Sequence, residues 1–350
     1  MLYPLLDAKE RRIRALWRVI LTLLLYVITN TGFSLMAGVA VMAFLPEEID
    51  AVRLGGDQAA YEQALQEFFM NTPVTGIINI VATLAGVLAT IWLATRFLDR
   101  RPFSNVGLQS DGRWWQDLLA GLGIGAAGVT ASVVLLLITG SASLEATLAT
   151  SRPQVNLALG LLEYTLLFIG VGIYEELIFR GYILKNLAEG LRLNIGNRTA
   201  LLAAMVLSSA LFGLVHLGNP NATPFSVISI FLAGIMLSLP YLWTGQIGLS
   251  IGLHITWNLF QGVVFGLPVS GTNVPESLLA FTDKGPEWLS GGAFGPEGGM
   301  VGLVGMAVIF ALVFLYVRKT RGEASLQTAI NDYQIPVEPD EPLKKERKNG

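Results

Sequence analysis

Four ionisable side chains that could do acid–base chemistry lie inside or at the end of apolar stretches of this sequence. Glu175 and Glu176 are adjacent in one stretch, His216 ends the next, and His254 lies in a later one. These two histidines are the only ones among the 350 residues. An ionisable group near the centre of a membrane-spanning helix costs about 2.5–3.5 kcal/mol on insertion scales, so few are kept without a function. The four side chains are therefore the first candidates for a functional site.

Helical spacing gives three of these residues a partner on the same helix face. The four-residue spacing occurs in three pairs: Glu176 and Arg180, Phe212 and His216, and His254 and Asn258. Residues four apart are neighbours on a helix surface, so Glu176 can pair with Arg180. Glu175 points about 100° away from Glu176. One carboxylate can therefore face a reaction centre while the other pairs with Arg180 or with a neighbouring helix.

Together these groups fit a hydrolytic site. Peptide hydrolysis needs a base whose pKa is raised toward neutrality, and burial raises the pKa of a carboxylate. It also needs donors aimed at developing negative charge, which imidazole and carboxamide groups provide. Taken singly, each residue has a plainer interpretation. His216 could end a helix, His254 or Asn258 could bond between helices, and Arg180 could be an orienting charge. Their joint occurrence favours a site.

A zinc ion is an alternative that the same residues leave open. Glu175, His216 and His254 could hold zinc with one position open, but a metal-free glutamate mechanism fits them equally. The His-Glu-xx-His pair of many zinc proteases is missing. Cysteine is absent, which excludes disulfides, thiolate ligands and cysteine catalysis.

The composition indicates lipid as the solvent around the chain. Hydrophobic residues make up 53% and charged residues only 14% of the sequence, too few polar groups to cover a soluble domain of this length. The net charge of −3 argues against nucleic acid as a partner. We therefore predict an all-α, polytopic transmembrane bundle whose partner is membrane lipid. Gly121 and Gly125 have the spacing that lets such helices pack closely.

Eight apolar runs are long enough to cross a bilayer as helices. They cover about 15–45, 73–95, 115–139, 157–179, 200–217, 225–244, 247–267 and 299–317. With eight spans, 20 of the 23 Lys and Arg residues lie on one side, and only Arg53, Arg152 and Lys284 lie on the other. Because such charges orient helices, both termini are predicted to be cytoplasmic. Segment 268–298, rich in Gly, Pro and Ser, is predicted to be an exposed outer loop.

Three motifs in this order resemble those of the type II CAAX prenyl protease family and its bacterial relatives in bacteriocin processing and immunity, the CPBP family. They are Glu175-Glu176-Leu177-Ile178-Phe179-Arg180, Phe212-Gly213-Leu214-Val215-His216 and His254-Ile255-Thr256-Trp257-Asn258. The resemblance covers about 157–265. We therefore predict four parts of the chain: N-terminal transmembrane helices (1–156), a protease-like catalytic core (157–267), an outer loop and last helix (268–317) and a mobile cytoplasmic tail (318–350).

The resemblance implies an intramembrane endopeptidase, often labelled a metalloprotease in this family. In that family Glu175 would be the general base assisted by His216, while His254 and Asn258 would stabilise the oxyanion. Glu176 and Arg180, supported by Phe212, would hold the geometry. The substrate would be a hydrophobic or membrane-associated peptide or protein, which a lipid could modify. The expected location is a bacterial cytoplasmic membrane.

Two other functions remain open at this stage. Buried glutamate and histidine also form proton relays, so a proton-coupled transporter is one alternative, although the sequence shows no inverted repeat. A non-catalytic scaffold or immunity protein with the same fold is the other. The depth of the site is also open. Glu175 and His216 can meet only if the fourth helix runs long, past Lys185, or if the turn at 218–223 dips into the membrane.

Overall fold

The computed structural model describes residues 6–7, 12–109 and 111–333, most of which are helical. Within that part, seven helices are long and apolar enough to cross a membrane. They are Ala15–Met42, Pro73–Asp99, Gly112–Ile138, Leu157–Ile195, Asn197–Gly218, Pro224–Thr244 and Met300–Arg321. The predicted all-α membrane bundle is confirmed, whereas the orientation of its termini stays a prediction.

The elements are numbered here in chain order. The helices are α1 (Ala15–Met42), α2 (Glu47–Leu54), α3 (Gln58–Asn71), α4 (Pro73–Leu93), α5 (Gly112–Ile138), α6 (Leu157–Glu176), α7 (Lys185–Ile195), α8 (Asn197–Val215), α9 (Pro224–Thr244), α10 (Gly248–Leu259), α11 (Glu287–Ser290) and α12 (Met300–Arg321). The strands are β1 (Leu6–Asp7), β2 (Arg12–Ile13), β3 (Ala142–Thr150) and β4 (Glu276–Asp283).

The run predicted as a span at 247–267 forms α10, a short helix enclosed by the others. With the π-helical turn Phe260–Val264 it has 17 residues. That length is about 26 Å, somewhat less than the apolar thickness of a bilayer. Every residue from Gly248 to Asn258 is buried. α10 can therefore carry His254 and Asn258 into the interior of the bundle.

Glycines let α5 lie directly on α10. A Cβ atom added at Gly121 would collide with the carbonyl oxygen of Leu249, and one added at Gly125 with that of Leu253. This agrees with the close packing predicted from their spacing, because a larger side chain would separate the two backbones.

The fourth predicted span is much longer than a bilayer requires. α6 continues through a π-helical segment, Leu177–Leu184, into α7, so one helix runs over the 39 residues from Leu157 to Ile195. At 1.5 Å per residue this is about 58 Å. Glu175 lies near its middle. The fourth helix does run long, past Lys185, as the first of the two predicted geometries required.

The prediction that 268–298 is an exposed loop is wrong in two respects. The segment contains β4, which pairs antiparallel with β3 from another loop. Its last part, around Phe294 and Glu297, is buried against the helices. Both features depend on contacts with residues far away in the chain. Local Gly and Pro content does not report such contacts.

One ion cluster joins this two-stranded sheet to α6. Arg152 pairs with Glu163 at 2.9 Å and with Glu276 of β4 at 2.6 Å. Glu163 is therefore a pairing residue, some three turns away from Glu175 on the same helix.

The chain after α12 folds back onto the helices. The amide of Gln327 donates to the carbonyl of Leu242 at 2.8 Å, and Lys185 Nζ donates to the carbonyl of Ile330 at 2.6 Å. Residues 334–350 of the predicted mobile tail lie outside the described residues, so the tail's mobility stays a prediction.

Candidate active site

Glu176 is fully buried and bound on two sides. Arg180 Nη1 donates to Glu176 Oε1 at 2.8 Å, so the pair predicted from spacing forms. His254 Nδ1 lies 2.8 Å from the same oxygen. An ionised carboxylate can only accept, so we assign the Nδ1 proton to His254. Arg180 also donates to the carbonyl of Gly234 in α9 at 3.1 Å. Glu176 thus connects the fourth helix to α10, and Arg180 connects it to α9.

Glu175, by contrast, is only partly surrounded by protein. Its side chain is 17% exposed, whereas that of Glu176 is 0% exposed. Glu175 Oε2 lies 3.8 Å from His254 Nε2, too far for a hydrogen bond. This oxygen has no hydrogen-bond partner among the described residues. Glu176 Oε2 also lacks a partner among the described residues, but Glu175 lines two cavities and Glu176 lines neither, so Glu175 is the carboxylate that a further ligand can reach.

His216 stands where α8 ends, and its ring is oriented by the preceding turn. Its Nδ1 lies 2.7 Å from the carbonyl oxygen of Phe212. A carbonyl can only accept, so we assign the proton of a neutral ring to Nδ1, which leaves Nε2 as an acceptor. His216 can then take up a proton at Nε2.

The ring of Phe212 is in contact with all three motifs. Its centroid lies 4.7 Å from that of His216 and 6.1 Å from that of His254. The guanidinium carbon of Arg180 lies 4.5 Å from the same centroid, an arrangement that favours cation–π attraction. Phe212 therefore holds the two imidazoles and the arginine at fixed separations.

A cavity of about 300 Å³ collects four of the predicted site residues. Glu175, His216, His254 and Asn258 all line it, each from one of three helical segments. The carboxamide of Asn258 makes no hydrogen bond to any residue that the structure describes, so it can donate into the cavity. Glu176, Arg180 and Phe212 do not line this cavity. The arrangement offers one carboxylate base, one carboxamide donor and two imidazole rings around one space.

A second, mainly apolar cavity of about 280 Å³ adjoins the first. It lies between α1, α4 and the fourth helix, and Tyr174, Glu175 and Val215 line both cavities. Glu175 thus stands at the junction of a polar cavity and an apolar one.

The residues proposed as zinc ligands do not form a metal site in this arrangement. No three His, Asp or Glu side chains in the described ranges converge on a point where they could hold an ion. His254 Nδ1 bonds Glu176 and His216 Nδ1 bonds a backbone carbonyl, so only the Nε2 atoms could act as ligands, and these do not form a converging group with Glu175. The donor set therefore does not fit zinc as it stands.

Two residues near the site were not found from the sequence. Ser270 and Glu297 line a small cavity of about 40 Å³ together with His216, His254 and Asn258. Glu297 stands in a Gly–Pro–Glu–Gly–Gly stretch whose composition is typical of an exposed turn. No feature of that stretch signals that it folds back into the bundle.

Residues 157–260 match the family described as type II CAAX prenyl endopeptidase Rce1-like. The match confirms the resemblance for the segment that carries the three motifs. No curated protein and no solved structure matched the chain. Its apolar helices and this match identify an integral membrane protein whose core resembles a family of membrane proteases.

Proposed function

We propose that this chain is an intramembrane endopeptidase that hydrolyses a peptide bond in the cavity beside Glu175. The proposal rests on one observation: two adjacent carboxylates differ in their hydrogen bonds and in their access to the cavity. Glu176 Oε1 accepts from both Arg180 and His254, and Glu176 lines neither cavity, whereas Glu175 keeps a buried, unpaired oxygen beside a cavity lined by two imidazoles and a carboxamide. A buried base beside hydrogen-bond donors is what amide hydrolysis requires.

In the proposed mechanism Glu175 takes a proton from a water molecule while the oxygen of that water attacks the carbonyl carbon of the substrate. Asn258 donates a hydrogen bond to the resulting oxyanion, and His254 does so from Nε2 when both ring nitrogens carry protons. His216 Nε2 accepts from the attacking water and orients it. Glu175 then returns its proton to the amide nitrogen as the carbon–nitrogen bond breaks. The products are a carboxylic acid and an amine.

The proposed substrates are hydrophobic or membrane-associated peptides or proteins. The polar cavity accommodates the reacting peptide bond, and the adjoining apolar cavity accommodates an apolar side chain or lipid close to Glu175. The family name includes prenylated CAAX proteins as substrates, and a lipidated substrate remains part of the proposal. The proposed location is a bacterial cytoplasmic membrane.

A metalloprotease mechanism has less support than a metal-free one. No converging donor set for zinc occurs among the described residues, so no step of the proposal uses a metal. Activity that is lost with a chelator and restored by zinc would revive the metal alternative.

The test is proteolysis by the purified full-length protein in detergent, assayed on a library of quenched fluorescent peptides. Glu175→Gln is expected to lower kcat by about 10²–10⁴-fold, the usual contribution of a general base. Glu163→Gln is the matched control, because it makes the same change in the same helix outside both cavities. Cleavage that survives Glu175→Gln would point to a contaminant and contradict the proposal.

A transporter would give a different result in the same preparation. Proton or ion flux into liposomes that is lost in Glu175→Gln, without any proteolysis, would favour transport. Absence of both activities would favour the scaffold alternative.

A further inference from the structure

A tight turn at 268–272 forms one wall of the site. Val269 and Thr272 exchange backbone hydrogen bonds of 2.9 and 2.8 Å across it. Asn219, three residues after His216, donates from Nδ2 to the carbonyl of Ser270 at 3.0 Å. The amide of Gly271 donates to the carbonyl of Phe294 at 2.8 Å. The turn is therefore held between the segment that follows His216 and the buried segment before α12.

Glu297 binds this turn from behind. Its side chain accepts hydrogen bonds from the backbone amide of Ser270, from Ser270 Oγ at 3.2 Å and from Gln261 Nε2. Glu297 is 3% exposed, and no cation pairs with it among the residues described. Burying a carboxyl group with only neutral donors costs free energy. If Glu297 only filled space behind the turn, an apolar residue would be more stabilising there.

The backbone of Ser270 is also unusual. Its φ angle is +47°, in the left-handed region that a residue with a Cβ atom seldom adopts. Glycine would adopt this conformation without strain. The presence of serine there suggests that its hydroxyl has a use, because unfavourable backbone conformations persist mainly where the surroundings or the function require them.

Ser270 borders the reaction space. It lines the 300 Å³ cavity with Glu175 and the 40 Å³ cavity with His254 and Asn258. Its hydroxyl proton is directed to Glu297, so the lone pairs on Oγ remain available to an incoming donor. In a peptide substrate, the backbone N–H groups on both sides of the scissile bond are such donors.

We propose that Ser270 is a substrate-binding residue that accepts a hydrogen bond from a substrate backbone N–H next to the scissile bond, and that Glu297 is the positioning residue that fixes its hydroxyl. The inference rests on the proposed endopeptidase function. It adds a fourth segment of the chain to the site, outside the three motifs.

Ser270→Gly is the informative variant. It removes the hydroxyl, keeps the backbone amide that Glu297 binds, and relieves the strain at φ +47°. Its thermal stability is expected to equal or exceed that of the wild type, while kcat/KM falls about tenfold for the loss of one hydrogen bond.

Asn221→Gly is the matched control. Asn221 has φ +58°, its side chain bonds the carbonyl of Ala293, and it lines neither cavity.

The decisive measurement uses the best-cleaved library peptide with each non-scissile N–H near the cleavage site replaced in turn by an ester oxygen. In the wild type, one replacement is expected to lower kcat/KM about tenfold, because the ester cannot donate. In Ser270→Gly the same replacement should have no further effect, since the two changes remove one interaction. Glu297→Gln is expected to weaken the dependence on that position without abolishing cleavage.

Failure of the inference and failure of the proposed function give different results. If the wild type cleaves, Glu175→Gln does not, and Ser270→Gly keeps the wild-type rate and ester profile, the role of Ser270 is overturned while the endopeptidase stands. If Ser270→Gly loses activity but responds to every ester as the wild type does, its role is structural and the inference also fails. If the wild type cleaves nothing, both are overturned.

Discussion

Two of the groups of charged side chains buried in this bundle differ in how completely their carboxylates are paired. The first is the site around Glu175. The second, called here the Glu189 cluster, joins β2, the start of α1, the segment that follows α4, and α7. Its members are Arg12, Arg18, Asp99, Arg101, Lys185 and Glu189. Both Glu189 oxygens accept from Arg101, at 2.6 and 2.7 Å, and Arg12 adds a bond of 2.8 Å.

Burial of charge does not by itself mark a reactive site, because both groups are buried. Both oxygens of Glu189 are paired with arginines, so this carboxylate can join helices but has no oxygen free for a substrate. Glu175 is less buried, yet it keeps an oxygen without a partner beside a cavity. An incompletely paired group next to accessible space is the feature that points to chemistry.

Removing the charge of Glu189 is the strongest test of whether the Glu189 cluster is structural rather than catalytic. Glu189→Gln should leave several buried cations without their partner and lower the free energy of unfolding by about 3–5 kcal/mol. Denaturant or thermal unfolding in detergent measures this loss. The activity per folded molecule should stay close to that of the wild type, opposite to the effect of Glu175→Gln.

An exposed ion pair provides the control for that experiment. Glu145 pairs with Lys284 at 3.1 Å, with about half of each side chain exposed. Glu145→Gln should leave the unfolding transition unchanged. If Glu189→Gln is as stable as the wild type but inactive, the Glu189 cluster has a functional role and the comparison fails.

A smaller effect is expected from Arg180→Lys, which tests how Glu176 positions His254. Lysine keeps the charge but cannot bind Glu176 and the Gly234 carbonyl with a planar fork, and it stacks less well on Phe212. We expect kcat to fall about tenfold with little change in KM. An unchanged kcat would mean that Glu176 holds His254 without help from the arginine.

The smallest effect concerns the pH dependence of stability. Burial raises the pKa of Glu297 to about 7, from an ordinary 4.5, and outweighs the hydrogen bonds from Gln261 and Ser270, which act in the other direction. The folded chain therefore holds this proton more tightly than the unfolded chain. Its stabilising contribution is complete below about pH 4.5 and is lost as the pH rises through about 7.

The thermal midpoint in detergent should accordingly fall by a few degrees between about pH 5 and 8. Glu297→Gln, which has no carboxyl to titrate, should show a smaller fall. Parallel pH profiles for the two proteins would show that Glu297 ionises at its ordinary pKa.

The membrane environment, the helical class and the residues of the three motifs could be predicted from the sequence alone. These features are local. A 20-residue apolar run specifies a span, and a four-residue spacing specifies the Glu176–Arg180 pair, because both depend only on the geometry of one helix. Even the inequality of Glu175 and Glu176 was foreseeable from their 100° separation.

Where these residues meet, and which other residues join them, depends on contacts between distant parts of the chain. The depth of Glu175 depends on a helix that continues past Lys185, and the enclosure of His254 depends on the packing of α10 inside the bundle. Arg12, Arg18 and Arg101 were counted as orienting charges, yet they lie buried around Glu189. Ser270 and Glu297 come from a stretch with the composition of a turn. Contacts between residues far apart in the chain leave no periodic signal in the sequence, so folding alone brings them to the site.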